Sequence, residues 1–324
     1  MGHCNHRCTF CAVDYIGYKT RSLDADVLIH NLTDMAGHGV KSVMFAGEGE
    51  PLLHPKLDSV INHCKSVSID VGITTNGVAL TERFVESCLS NVAWVKVSCN
   101  AGNKETYERV HRASGKDWDT VWKNLTRARA WVNKERANTV SDTVLGIQAV
   151  MIPENKDSLV ELAKRARDTG LDYIVIKPYS QHKKSLTREY AEIRYKELME
   201  GLKEVEKVTG EGFEVIVRHN SMEVWDRQDG GYEKCLSTPY FWAYIMATGD
   251  VYGCSAYLLD DRFKYGSIKD NLFSEIWLGD KRKESMEYVD RELDISECRK
   301  NCRMDKVNRY LWELENPDTH RNFI

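Results

Sequence analysis

Short apolar runs alternate with longer, polar, periodic stretches through the first half of the chain. The runs at 41–46, 70–75, 94–99, 144–152 and 173–177 are rich in Val and Ile and end at glycine, asparagine or proline, so each predicts a strand. The stretches at 24–37, 55–67, 81–89, 117–134 and 156–169 place apolar residues at helical spacing, with Thr81, Asp157 and Ser158 as starting caps. Strands alternating with helices of this length predict βαβ units around a parallel sheet. Five strands are countable, and a sixth is expected near Arg7. After Ser180 the pattern changes. Residues 187–208 predict one long charged helix and 213–218 a strand. From Cys235 the chain is aromatic-rich and punctuated by cysteines, with turns at Thr248-Gly249-Asp250 and Tyr265-Gly266. A break at Asp229-Gly230-Gly231 within 220–234 suggests two domains, 1–220 and 221–324.

Composition removes several classes. With 324 residues, 42% apolar and 29% charged, the chain suits a soluble globular protein. Six prolines do not suit a linker-rich chain, and a net charge of −4 leaves no overall footprint for nucleic acid. The densest apolar run, 240–247, falls far short of the ~18 residues of a membrane span. Met1-Gly2-His3-Cys4 has no apolar leader. A cytoplasmic protein without nucleic-acid or membrane partners is therefore expected. Ten cysteines in a long chain without a leader are expected to be reduced, and in part metal ligands.

Cys4, Cys8 and Cys11 form C-x3-C-x2-C. Three thiolates this close can hold one metal centre, and on a [4Fe–4S] cluster they leave one iron open. Spacing alone also permits a structural zinc site completed by His3 or His6. The loop, with Phe10 before its third cysteine, resembles the signature of the radical S-adenosylmethionine (SAM) superfamily. Gly47-Glu48-Gly49-Glu50-Pro51, one helix downstream at the end of the 41–46 strand, resembles that family's Gly-Gly-Glu segment in a G-x-G-E-P form. The resemblance implies a cluster on Cys4, Cys8 and Cys11, with SAM chelating the open iron. It implies SAM contacts from Phe10, Gly47, Gly49, Glu50 and Pro51. It also points to Ser98, Asn100 and Gln148 on the middle strands, with Thr74-Thr75-Asn76-Gly77 as a further family-like segment. Ile152-Pro153 and Lys177-Pro178 close strands where the family places backbone contacts to adenine. The fold implied is α/β: a partial (β/α)6 TIM-type barrel with a small C-terminal α+β domain. The family's first strand precedes the cysteine loop, and three residues cannot form it. That strand is expected to be missing, with the start trimmed or the barrel a strand short.

Cys235, Gly249 and Cys254, followed by Cys298-x3-Cys302, resemble the SPASM/Twitch extension of many radical SAM enzymes. Four cysteines imply one auxiliary [4Fe–4S] cluster, closed to substrate and suited to electron transfer. A hairpin at 248–250 is expected to bring Cys235 and Cys254 together. Cys64, Cys88 and Cys99 stand singly and are expected in the core. His54, Tyr179, Gln181 and His182 lie near strand ends and could line a pocket. Arg218, ending the 213–218 strand, could take a proton from a substrate radical; its ordinary alternative is a surface ion pair. The implied activity is reductive SAM cleavage and hydrogen abstraction from a polar small molecule, such as a carbohydrate or nucleotide derivative. The auxiliary cluster would accept an electron, and a flavodoxin or ferredoxin would act as donor. Modification of a peptide or protein side chain, and a non-enzymatic zinc scaffold, are the alternatives.

Overall fold

The computed structural model describes all residues except 139–140, 228–230, 300 and 324, and the side chains of 321 and 322. Six parallel strands pair in sequence order: β1 (Ser42–Phe45), β2 (Asp70–Thr75), β3 (Trp94–Ser98), β4 (Val144–Met151), β5 (Tyr173–Pro178) and β6 (Glu214–Val217). The helix α1 (Ala25–Gly37) leads into β1, and α2 (Leu57–Ser66), α3 (Glu82–Cys88), α4 (Lys104–His111), α5 (Gly115–Ala137) and α6 (Leu159–Asp168) connect the strands up to β5. Asp24 caps by accepting from the Asp26 and Val27 amides, and Thr81 from the Phe84 amide, but the expected caps Asp157 and Ser158 do not: Asp157 lies inside a 3-10 turn and Ser158 Oγ donates to the Asn155 carbonyl.

Strand register divides the side chains into two faces. Val71, Ile73, Val95, Val97, Leu145, Ile147, Ala149, Ile174 and Ile176 face the helices and are buried. The inner face carries Trp94, Lys96 and Ser98 on β3, in register with Val144, Gly146 and Gln148 on β4. Two rings floor this face. A Cβ at Gly72 would lie 2.2 Å from the Trp94 ring, and one at Gly146 would lie 2.4 Å from the Tyr173 ring.

Two further expectations are corrected. No strand forms near Arg7. The Arg7 and Thr9 amides donate to the carbonyls of His111 and Val110 at the end of α4, so this segment is a loop held by a helix end. The sixth strand is β6, within the expected 213–218 run, and β1 is a sheet edge. Residues 187–208 do not form one helix. They hold two short helices, α7 (Tyr195–Leu198) and α8 (Leu202–Glu206), with a 3-10 turn at Met199–Gly201 between them. Tertiary acceptors capture the amides first. The Asp14 carboxylate takes the Leu186 and Thr187 N–H groups, and the Asp226 carboxylate takes those of Tyr195 and Lys196.

Beyond β6, α9 (His219–Arg227) packs Trp225 against Tyr179 and Tyr195, so the expected boundary at 220/221 falls within a helix that rests on the core. Asp229 and Gly230 of the expected break lie outside the described residues. The C-terminal part has α10 (Thr238–Phe241) and an antiparallel sheet of β7 (Tyr244–Ile245), β8 (Asp250–Tyr252) and β9 (Lys264–Ser267). α11 (Phe273–Leu278), α12 (Asp280–Arg291) and α13 (Asp305–Glu315) follow. A cleft of about 990 Å³, mostly apolar, runs along β1 and beneath residues 240–247. Among the described residues, no helix is long and apolar enough to cross a membrane.

Candidate active site

Hydrogen bonding separates seven cysteines from the other three. Cys4 Sγ accepts from the His6 amide at 3.4 Å, Cys254 from Ala256, and Cys302 from Met304. Cys298 lies 3.4 Å from the Tyr257 hydroxyl, Cys235 accepts from Asn308 Nδ2 at 3.8 Å, and Cys11 bonds to Tyr18. Cys88 and Cys99 instead face backbone carbonyls, a geometry that requires a protonated S–H donor. Those two and Cys64 are buried in the core as expected. Sulfurs that accept donors suit thiolate ligands.

Cys8 has a more specific partner. His111, at the end of α4, places Nδ1 3.3 Å from Cys8 Sγ. The Asn100 amide donates to His111 Nε2 at 3.0 Å, so that nitrogen carries no proton. Burial pushes the ring's pKa down to about 3 and keeps it neutral. The single ring proton therefore sits on Nδ1 and points at Cys8. Phe10 packs edge-on against His111 at 6.0 Å. Neither α4 nor His111 was expected from the sequence. The readable signals were Asn103, which caps Thr106, and the buried Thr106, Tyr107, Val110 and His111 at helical spacing.

The Gly47–Pro51 segment closes over the cysteine loop. A Cβ at Gly49 would lie 2.3 Å from the His3 carbonyl oxygen, and one at Gly47 would lie 1.8 Å from the Gly49 oxygen, so side chains are excluded at both. The Glu50 amide donates to the His3 carbonyl. Its carboxylate, 2% exposed, accepts from the Leu52 amide, the Thr75 hydroxyl and the Asn76 amide. Burial raises the Glu50 pKa, and these three donors oppose the rise. Asn76 Nδ2 donates in turn to Asn5 within the cysteine loop. Pro51 opens a 3-10 turn and is buried.

Ser98 and Gln148 face each other on the inner surface. Asn100 is 1% exposed, and its Oδ1 accepts from the Val150 amide at 2.6 Å, tying β3 to β4. His54 borders the cleft, but Nδ1 accepts from the Lys56 amide and Nε2 donates to the Leu23 carbonyl at 2.8 Å. Gln181 Nε2 donates to two backbone carbonyls, and Tyr179 is buried against Tyr190 and Trp225. His182 stacks on Tyr15 at 4.6 Å; burial and the nearby Arg299 and Lys184 push its pKa down to about 4. His6, Cys8 and His111 bring ligand atoms within 4.8 Å of one another. His6 Nε2 is engaged by Asp117, however, and His111 by Asn100 and Cys8.

The C-terminal cysteines lie within electrostatic reach of one another. Gly249, at φ +91°, makes the 248–250 hairpin, with Met246 N–H on the Asp250 carbonyl. Burial lifts Cys254 to about 12 and raises Cys302, and each thiol lies within electrostatic reach of Cys235. Cys298, at about 11, feels Cys235 and Cys302. Three of these thiols, Cys254, Cys298 and Cys302, are pushed up and deprotonate readily only under a metal's positive charge. This donor set suits an iron–sulfur cluster. Glu48, missed from the sequence, joins the two parts. Its carboxylate holds Arg21 at 2.6 Å and accepts from the Ala247 amide.

Residues 1–166, just over half the chain, match the family model described as Radical SAM superfamily. The chain belongs to the radical SAM superfamily. Residues 235–303 match a model described as an iron-sulfur cluster-binding domain, SPASM. Members of this superfamily bind SAM on a [4Fe–4S] cluster, and the SPASM domain carries auxiliary iron–sulfur clusters. The GTP 3′,8-cyclase of Chlorobaculum tepidum is 30% identical over 216 residues, 65% of this chain and 62% of the cyclase. The dTDP-4-amino-4,6-dideoxy-D-glucose ammonia-lyase of Streptomyces venezuelae is 31% identical over 166 residues, 49% of this chain and 33% of the lyase. Thus the chain spans less than two thirds of either relative's length. Among solved structures, SuiB of Streptococcus suis bound to its precursor peptide SuiA has a TM-score of 0.65 at 16% identity, covering 86% of this chain and 63% of SuiB. That likeness extends to the fold.

Proposed function

We propose that this chain cleaves SAM reductively and oxidises a polar small molecule, a carbohydrate or nucleotide derivative, using one auxiliary cluster as electron acceptor. A reduced [4Fe–4S] cluster carrying SAM supplies a 5′-deoxyadenosyl radical, which takes a hydrogen atom from a substrate. In this reading Cys4, Cys8 and Cys11 hold that cluster. The Gly47–Pro51 segment and Asn76 fix the loop, while Ser98 and Gln148 line the chamber. Cys235, Cys254, Cys298 and Cys302 would hold the cluster that takes up the second electron, and the proton would pass to a base or solvent. Two electrons leave the substrate in all, with 5′-deoxyadenosine and methionine as co-products. The electron that starts each turnover would come from a flavodoxin or ferredoxin.

The observation that carries this reading is the approach of the C-terminal part to the cysteine loop, where Glu48 accepts from the Ala247 amide. Tyr15, four residues after Cys11, lies within electrostatic reach of Cys254 and Arg299. The names of sequence relatives support the substrate class. One acts on GTP, another on a dTDP-sugar, and a third, from Flammeovirga pacifica, is a SAM-dependent nucleotide dehydratase.

The first test is anaerobic reconstitution with SAM and a strong reductant. 5′-Deoxyadenosine is expected from the wild type and not from Cys8→Ala. Cys254→Ser is expected to retain this cleavage and to lose oxidised product. Zinc in place of iron, with no nucleoside formed, would defeat the reading. A peptide converted in place of a small molecule would overturn the substrate class.

A further inference from the structure

Three of the inner-face positions carry cations. Lys96 on β3 is in register with Gly146 on β4, which in turn pairs with Tyr173 on β5, and Lys177 on β5 is in register with Val150 on β4. The Arg218 amide donates to the Ile176 carbonyl, which continues the β5–β6 register and sets Arg218 beside Lys177. By strand alternation all three share the inner face. Two more cations come from the loop of Cys298 and Cys302. Arg303 sits 5.1 Å over the Trp242 ring and reaches Met44 on the inner face of β1; Arg299 bonds to Ser255. Lys96 lies 5.0 Å over Trp94 of the floor.

The five act on one another. Lys177 is pushed down to about 8 by burial, and then by Arg303, Lys96, Arg299 and Arg218. Among the described residues none of the five pairs with a carboxylate, and Arg299 Nε is buried without a partner. Two other buried or half-buried arginines do have one: Arg21 holds Glu48 and Arg129 holds Asp172. Gathering cations around the half-buried Lys177 without a counter-charge is unfavourable unless an anion completes the site. The C-terminal thiolates lie near Arg299 and Arg303 and can balance those two. Lys96, Lys177 and Arg218 remain.

We propose that Lys96, Lys177 and Arg218, with Arg299 and Arg303 opposite, bind the phosphate or diphosphate group of a phosphorylated substrate. This rests on the small-molecule reading above and narrows it. Arginine forks suit phosphate oxygens, and two lysines add point charges. Arg218 then supplies positive charge, the role a guanidinium plays in proteins, rather than accepting a proton. The aromatic floor of Trp94 and Tyr173 would face the less polar part of the same molecule.

The test is equilibrium binding of inorganic pyrophosphate to the anaerobically reconstituted full chain at fixed salt, with and without saturating SAM. We expect saturable binding at one site that survives SAM. It should weaken at least tenfold in Lys177→Met and in Arg218→Ala, and stay unchanged in Lys203→Met, an exposed lysine far along the chain. Arg218 lies at the exposed end of its strand, so its variant keeps the test valid should Lys177→Met lose iron. Absence of saturable binding overturns the site. So does binding that SAM abolishes, which would assign the cations to the SAM carboxylate, and so does equal affinity across all variants. Pyrophosphate binding requires no turnover. Binding without 5′-deoxyadenosine would therefore defeat the oxidation reading alone, and the reverse pattern would defeat the phosphate site alone.

Discussion

His111 donates one proton to one sulfur, and that contact has a measurable consequence. A donor on a ligand sulfur favours the reduced, more negative cluster and raises its potential. Replacing His111 with Phe is expected to lower the midpoint potential of the cluster proposed on Cys4, Cys8 and Cys11 by about 20–60 mV, the one-electron equivalent of roughly 0.5–1.5 kcal/mol. EPR-monitored redox titration measures it, and His111→Gln, which keeps a donor, should recover part of the shift. His182 makes a different prediction. Its folded pKa, about 4, is below the ordinary value of 6.5. The unfolded chain therefore binds more protons between those values, and stability is lost as pH falls through that window. From pH 7.5 to 5.5 this group alone should remove about 1.4 kcal/mol. The fall in thermal midpoint should be smaller in His182→Asn. At this scale the cysteines were legible because C-x3-C-x2-C is local. The partners of Cys8 and Cys298 were not, since His111 and Tyr257 come from 103 and 41 residues away.

Elements set by a local pattern followed their sequence signals, and those whose amides go to distant side-chain acceptors did not. β2 occupies the 70–75 run, and Thr81 caps α3, because apolar alternation and a local cap decide both. The 187–208 segment carries helix-forming residues. Its amides nonetheless go to Asp14 and Asp226, which no local pattern reveals. The Gly47–Pro51 turn shows the same dependence. Its glycines were readable as a motif, but the reason for Gly49 is the passing carbonyl of His3. Backbone on both sides leaves no room for adjustment. Gly49→Ala is expected to leave the C-terminal cluster intact and to prevent the first from assembling. Iron per chain should then fall to about half that of the wild type, with the far-ultraviolet spectrum unchanged.

For the whole molecule, the N-terminal and C-terminal parts meet at Tyr15, within electrostatic reach of Cys254, and at Glu48, which accepts from the Ala247 amide. Two [4Fe–4S] clusters imply roughly eight irons per chain, and Cys254→Ser should remove about four without affecting the rest. Glu48→Ala strips Arg21 of its carboxylate and the Ala247 amide of its acceptor. It is expected to cost about 2–4 kcal/mol, seen as a lower thermal midpoint in the holoprotein. The sequence by itself determined the β/α alternation, the two sets of cysteines and the family, because strand period, helix period and ligand spacing are short-range properties of a chain. Tertiary structure alone decided that β6, rather than a strand near Arg7, supplies the sixth strand, since only packing shows where the Arg7 and Thr9 amides are satisfied. It also decided that His111 meets Cys8, and that five cations from three strands and one loop converge on the inner face. Charge and proton placement depend on distances through space, and the order of residues along the chain does not contain them.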